Sequence, residues 1–214
     1  MHYATRARAG RALTKSLGHL RGSDPVVLGL PRGGVPVAFE IAEALAAPLD
    51  VLLVRKLGVP WQPELAMGAI AEGDFEVLND DVVRLAGVTP QAVNAVRIDE
   101  RRELERRAGV LRGGSPRVPL RGRVVVLVDD GMATGATAAV ACVAARAEGA
   151  ERIVVAVPVA SSEAVARLRV TADEVVCPFV PADLGGVGGA YIDFHQLDDH
   201  EVTDLLSRAR RQWT

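Results

Sequence analysis

Aromatic residues are scarce in this chain, with four Phe, two Tyr and two Trp among 214 residues. A site that grips its ligand with stacked rings has few side chains to draw on. Cysteine is nearly missing too. Cys142 and Cys177 share no metal-type spacing, so two reduced core thiols are expected rather than a zinc site or a disulfide framework. Neither sign of charge prevails: 25 Lys and Arg stand against 27 Asp and Glu, for a formal charge of −2. That balance removes the basic field of a nonspecific nucleic-acid binder. No apolar run approaches membrane-spanning length and no signal-like apolar stretch opens the sequence, so the expectation is a cytoplasmic protein with neither membrane nor nucleic acid as partner. Lysine is the rarest cation; Lys15 and Lys56 are the only two.

What is plentiful is the alternation of short apolar runs with helical periodicity, the pattern of an α/β fold with a mostly parallel sheet. Residues 4–20 read as an amphipathic helix carrying Ala9, Leu13, Leu17 and Leu20. Val26–Leu30 reads as a buried strand, 35–46 as a helix and Val51–Val54 as the next strand, one right-handed βαβ unit. Residues 55–64 read as irregular and Pro-rich, and 65–71 and 75–78 as two further strands. Helix 89–112 has a sparse apolar stripe of Val93, Val96, Leu104 and Leu111 amid dense charge, which suits a surface or a subunit contact rather than a core. Strand 123–129, helix 136–148, strand 153–158, helix 162–169 and strand 174–177 complete the alternation. A loop over 181–197 leads to a last helix, for which Asp198 and Glu201 form a capping box. One domain over residues 1–214 is expected, with its core at about 24–178.

The densest chemistry lies in Val124-Val125-Val126-Leu127-Val128-Asp129-Asp130-Gly131-Met132-Ala133-Thr134-Gly135-Ala136-Thr137. A buried strand ends in two carboxylates, and a loop of small and hydroxyl residues opens a helix. Main-chain N–H groups at such a helix start bind phosphate, and glycines let the backbone come close. Adjacent acids repel phosphate. They suit what lies beside it, the vicinal hydroxyls of a ribose or a Mg²⁺ ion. A ribose 5-phosphate satisfies the whole pattern.

This run resembles the 5-phosphoribosyl-1-pyrophosphate (PRPP) motif of the type I phosphoribosyltransferases. The resemblance extends along the chain through Arg-Ala-Gly-Arg (8–11), Leu-Pro-Arg-Gly-Gly (30–34), Val-Arg-Lys (54–56), Pro-Glu-Leu-Ala-Met-Gly-Ala (63–69), Val-Pro-Val-Ala (157–160) and Asp-Phe at 193–194. It implies a twisted, mostly parallel sheet flanked by helices, with a small hood and C-terminal helix over about 179–212. It implies a Mg²⁺-dependent transfer of ribose 5-phosphate from PRPP to a nitrogen acceptor, a nucleobase for most members, with release of pyrophosphate, in a homodimer. The 5-phosphate falls to Ala133, Thr134, Gly135, Ala136 and Thr137. The ribose hydroxyls and Mg²⁺, directly or through water, fall to Asp129 and Asp130. Pyrophosphate falls to Arg32, Gly33, Gly34, Arg55 and Lys56, and family members often carry a cis peptide at the position of Pro31–Arg32. Asp129, Asp130, Arg55 and Lys56 are the catalytic candidates.

Three features remain open at this level. The stretch Gly58–Glu64, with Trp61 between prolines, suits either a mobile cover or a packed loop, and Glu64 is a candidate for contact with the acceptor. Tyr191 and Phe194 in the hood either stack on an acceptor ring or pin the loop to the body. His195 and His200 are expected as ordinary surface residues. The phosphate loop carries Ala136 where many base-salvage members have Gly. The N-terminal helix begins Thr5-Arg6 where the branch often has Asp-Arg. A sensing module that binds PRPP or a nucleotide without turnover would use the same loops, and a phosphoribohydrolase would replace the acceptor with water.

Overall fold

Apolar runs of three to five residues, buried on both sides, assemble the centre of the molecule. The computed structural model describes residues 2–212. In chain order it comprises α1 (Arg6–Thr14), β1 (Val26–Gly29), α2 (Gly34–Leu45), β2 (Leu49–Val51), β3 (Val54–Val59), β4 (Gln62–Ala71), β5 (Glu76–Leu78), α3 (Asp80–Leu85) and α4 (Pro90–Arg112). Then follow β6 (Val124–Val128), α5 (Ala136–Ala147), β7 (Arg152–Ala156), α6 (Ser162–Thr171), β8 (Glu174–Val176) and α7 (Asp199–Arg211).

Five strands form a parallel sheet in the order β2-β1-β6-β7-β8. Alternate side chains feed two cores: Val27, Val126 and Val128 pack on one face, Val26, Leu28, Val125 and Leu127 on the other. A parallel sheet covered on both faces reads as unbroken apolar runs for this reason. Each such side chain contributes about 1.5–3 kcal/mol relative to exposure. From β1 the chain crosses through α2 to β2, and from β6 it crosses through α5 to β7, on the opposite side. The strand order therefore reverses between β1 and β6, and a crevice opens beyond their carboxyl ends. Both loops singled out by their residues, 30–33 and 129–135, leave the sheet there. Among the described residues, no helix is long and apolar enough to cross a membrane.

Four expectations need correction. The first helix stops at Thr14, and Gly18–Leu20 forms a 3-10 turn instead; a glycine inside a helix is unfavourable, while Leu17 and Leu20 stay buried without it. The second strand is Leu49–Val51, not Val51–Val54. Residues 55–64 are not irregular: β3 and β4 form an antiparallel hairpin that β5 extends to three strands. Gly58 pairs with Ala66 and Val59 with Gln62, so Pro63, Glu64 and Leu65 bulge out where no ladder N–H is required. The stripe of α4 reaches the core, with Val93, Leu104 and Leu111 buried against the principal cluster. The helix α3 has no counterpart in the sequence reading; Asn79 caps it, accepting from the Val82 amide, with Asp80 and Asp81 in its first turn.

Residues 3–4 and 190–193 lie side by side. The Tyr3 amide donates to Ala190 O at 2.8 Å, Ile192 to Tyr3 O at 2.9 Å and Asp193 to Ala4 O at 3.1 Å. The segment before α1 is thus clipped to the hood. The capping box of Asp198 and Glu201 opens α7 as expected.

Candidate active site at the strand-order reversal

The loop after β6 is stitched to the exit of β7. The Met132 amide donates to Val159 O at 3.0 Å, the Ser161 amide to Met132 O at 2.9 Å, and the Ser161 hydroxyl to Ala133 O. Gly135 takes a φ of 68° to turn into α5, a conformation that favours glycine. The first amides of α5 have no acceptor within the helix. They border a cavity of about 150 Å³ lined by Asp129 and the run from Gly131 to Ala138. The loop therefore forms a cup edged by main-chain N–H groups, of which the Ala136 amide turns to Thr134 Oγ1 at 3.4 Å, with the Asp129 carboxyl at one end. Ala136 follows Gly135 as the first residue of the helix, so the substitution for Gly causes no backbone conflict.

The two acids part company. Asp129 accepts the Asp130 amide on its own Oδ1 at 2.9 Å and borders the phosphate-loop cavity. Burial, and after it the charge of Asp130, push its carboxyl well above the ordinary aspartate range. Asp130 turns to the other side, where its Oδ2 accepts from Arg6 Nε at 2.7 Å. Burial raises its carboxyl as well, against the pull of that guanidinium. With Arg6, Arg32, Gly33, Phe194, His195, Gln196 and Leu197, Asp130 borders a second cavity of about 300 Å³.

Across the crevice stands the turn between β1 and α2, with a cis peptide at Pro31–Arg32. Its glycines permit close approach to the end of β6. A Cβ on Gly33 would fall within the Asp130 carboxyl, and one on Gly34 would strike Val128 O. Gly33 and Arg32 border the second cavity; Gly34 instead packs its Cα on the β6 backbone. The Arg32 guanidinium lies 3.8 Å from Asp199 Oδ1 at the start of α7.

Arg55 and Lys56 do not end a strand of the main sheet. They sit on β3 and point to opposite faces of the hairpin, as consecutive strand residues must. Arg55 is bound to Glu100 of α4 at 2.6 Å. Lys56 shares a groove of about 880 Å³ with Ala136 and Thr137. Its Nζ lies 3.5 Å from Glu64 Oε2, and the Glu64 side chain is otherwise open to solvent on the hairpin bulge. Trp61 is at the hairpin turn and 60% exposed.

In the hood, Tyr191 is buried and donates its hydroxyl to Asp130 O. It stacks on Phe194 with ring centroids 5.1 Å apart, and the Arg6 guanidinium carbon lies 4.0 Å from the Phe194 centroid. These rings pin the hood to the body, so an acceptor cannot stack on Tyr191. His195 is a surface residue between Asp193 at 2.9 Å and Glu201 at 3.0 Å, which raise its pKa, Asp193 the more. Arg6 is the residue sequence reasoning overlooks, visible there only as half of a departed Asp-Arg pair. Thr5 explains the departure: its hydroxyl caps α1 by accepting the Arg8 amide, a task that Thr and Asp both perform.

Arg32, the two acids and the loop 131–135 thus gather beyond the carboxyl ends of β1 and β6, while Arg55 and Lys56 lie on the hairpin. The sequence matches the phosphoribosyl transferase domain family over residues 3–188. It is 55% identical over 208 residues to a Mycobacterium tuberculosis (strain H37Rv) protein named "Putative phosphoribosyl transferase Rv0571c", covering 97% of this chain and 47% of that protein. The chain spans about half the length of the curated relatives it matches. The crystal structure of TT1426 from Thermus thermophilus is 45% identical, with a TM-score of 0.85 over 97% of this chain and 99% of that one. The chain belongs to the phosphoribosyl transferase domain family.

Proposed function

We propose that the chain transfers ribose 5-phosphate from PRPP to a nitrogen acceptor, most naturally a nucleobase, and releases pyrophosphate. The observation that carries this reading is the small cup at the start of α5 with Asp129 at its rim, next to the cavity that Asp130 and Arg32 line at the strand-order reversal. The 5-phosphate rests on the amides and hydroxyls of 133–137, and Asp129 accepts from the ribose hydroxyls. Pyrophosphate lies toward Arg32, the Gly33 backbone and Lys56. The C1–oxygen bond breaks ahead of bond making, its electron pair leaving with pyrophosphate. The acceptor nitrogen then gives its lone pair to C1, and its proton passes to solvent. Cations around the leaving group and the carboxylate beside the cationic sugar stabilise charges that exist only in that transition state.

The residues fit a Mg²⁺ ion that enters with PRPP. Mg²⁺ keeps most of its water and takes one or two carboxylates plus substrate phosphates. Asp129 has Oδ2 to offer, whereas Arg6 already occupies Oδ2 of Asp130. Among the described residues no group of three or more His, Cys, Asp and Glu forms a protein-only cage. Bound there, Mg²⁺ neutralises pyrophosphate charge.

The test is pyrophosphate release from PRPP and Mg²⁺ with a panel of nucleobases. Release that requires one base supports the transferase. Release without any base assigns the phosphoribohydrolase, binding without release assigns the sensing module, and no binding at all refutes the site.

A further inference from the structure

Arg6 is the first residue of α1, a helix fixed by Ala9 and Leu13 in the interior and by close packing on α2. Its side chain is almost wholly buried and makes three contacts. Nε donates to Asp130 Oδ2 at 2.7 Å, Nη1 donates to His195 O at 3.0 Å, and the guanidinium plane covers Phe194. A buried cation with those three partners is held in one place, and it holds them in turn. Asp130 would otherwise face Asp129 with no counter-charge, free to swing away from the crevice. Gly33 leaves room for the Asp130 carboxyl on one side, and the Tyr191 hydroxyl fixes its carbonyl from the other.

We propose that Arg6 is a positioning residue: it sets the Asp130 carboxylate between the two substrate loops and locks the hood segment 191–195 onto that carboxylate. One oxygen of Asp130 is thereby committed to Arg6, and Oδ1 is left for the ribose or the pyrophosphate side of PRPP. The inference rests on the PRPP reading of the crevice. The phosphate cup is independent of Arg6, because its stitches run to Val159 and Ser161 on the β7 side. Arg6 should therefore govern PRPP and not phosphate as such.

The experiment compares wild type, Arg6→Gln, Arg6→Lys, Asp130→Asn and the Arg6→Gln/Asp130→Asn double variant. Calorimetry reads PRPP binding with Mg²⁺, and ³¹P line broadening reads inorganic phosphate. Arg6→Gln is expected to weaken PRPP by about tenfold or more, as loss of a charge-assisted hydrogen bond does. Inorganic phosphate should stay within about twofold of wild type, which also certifies a folded cup. Arg6→Lys keeps the charge but not the fork and should recover part of the loss. The double variant should bind PRPP no worse than Asp130→Asn, because the two residues act as one unit. PRPP affinity unchanged in Arg6→Gln, equal losses of phosphate and PRPP, or additive losses in the double variant each overturn the proposal. Wild-type protein that binds neither ligand overturns the functional reading beneath it.

Discussion

Gly33→Ala tests how tightly the two substrate loops are fitted. Gly33 has φ −59° and ψ −35°, values any residue adopts. On backbone grounds alone, alanine should stabilise by about 0.4–1 kcal/mol through the unfolded chain. Sterics oppose this. An ideal Cβ would sit 2.5 Å from Asp130 Cγ and 3.0 Å from Oδ1, and the three nearest atoms all belong to that carboxyl. Overpacking a tight site costs about 1–3 kcal/mol. If the carboxyl yields instead, it leaves Arg6, and a charge-assisted bond worth about 1.5–3 kcal/mol goes with it. At the middle of these ranges either route outweighs the entropic gain, for a net loss of about 1.5 kcal/mol in urea unfolding. The decisive measurement is the same substitution in an Asp130→Ala background. With the carboxyl gone, Gly33→Ala should become neutral or slightly stabilising. An equal loss in both backgrounds would show that the clash is not with Asp130, and the close fit of the two loops would have to be abandoned.

Asp129 offers a pH test. Its folded-state pKa lies above the unfolded value, so its ionised form opposes folding at neutral pH and its protonated form does not. Asp129→Asn should raise the melting temperature at pH 7.5, with the advantage shrinking as pH falls toward about 4, where both states bind the proton; an advantage independent of pH refutes the cause. Lys56→Ala should raise the KM for PRPP by about tenfold, the weight of one charge-assisted contact. Arg55→Ala should leave KM within about twofold and cost at most about 1 kcal/mol of stability from its pair with Glu100; the reverse ranking in steady-state assays would put Arg55 back in the site. Arg112 bonds Asp50 Oδ1 at 2.8 Å and both oxygens of Glu72, all three side chains being buried. Arg112→Ala removes the main counter-charge of two buried carboxylates, which keep main-chain N–H partners, with Arg117 3.9 Å from Glu72, and should cost about 3–5 kcal/mol in urea unfolding; a loss below about 1 kcal/mol would mean that solvent or Arg117 supplies the counter-charge.

How far a sequence can be read here follows the range of the interaction. The strand, loop and helix of 124–147 are legible because strand, acids, small residues and helix start are contiguous. The paired glycines at 33 and 34 were legible as a turn, but their purpose was not, since they make room for Asp130 and Val128 from elsewhere in the chain. The run from Leu49 to Val54 is almost continuously apolar, yet its first half pairs with β1 and its last residue begins the hairpin. Apolar character alone does not mark where a chain leaves one sheet for another. That slip put Arg55 at the end of a main-sheet strand, whereas it sits on β3 and pairs with Glu100, because its side of the strand follows from the register of β3 against β4. Arg6 and Arg112 were the least legible, since a buried arginine looks like a solvated one until its partners are known. Arg6 lies 124 residues from Asp130, and Arg112 lies 62 from Asp50. A local motif can therefore identify the family, while the charges that hold these acids are supplied by the fold. For this reason the family is readable from fourteen consecutive residues. The cavity among Arg6, Arg32 and the hood, by contrast, is assembled only by the folded chain.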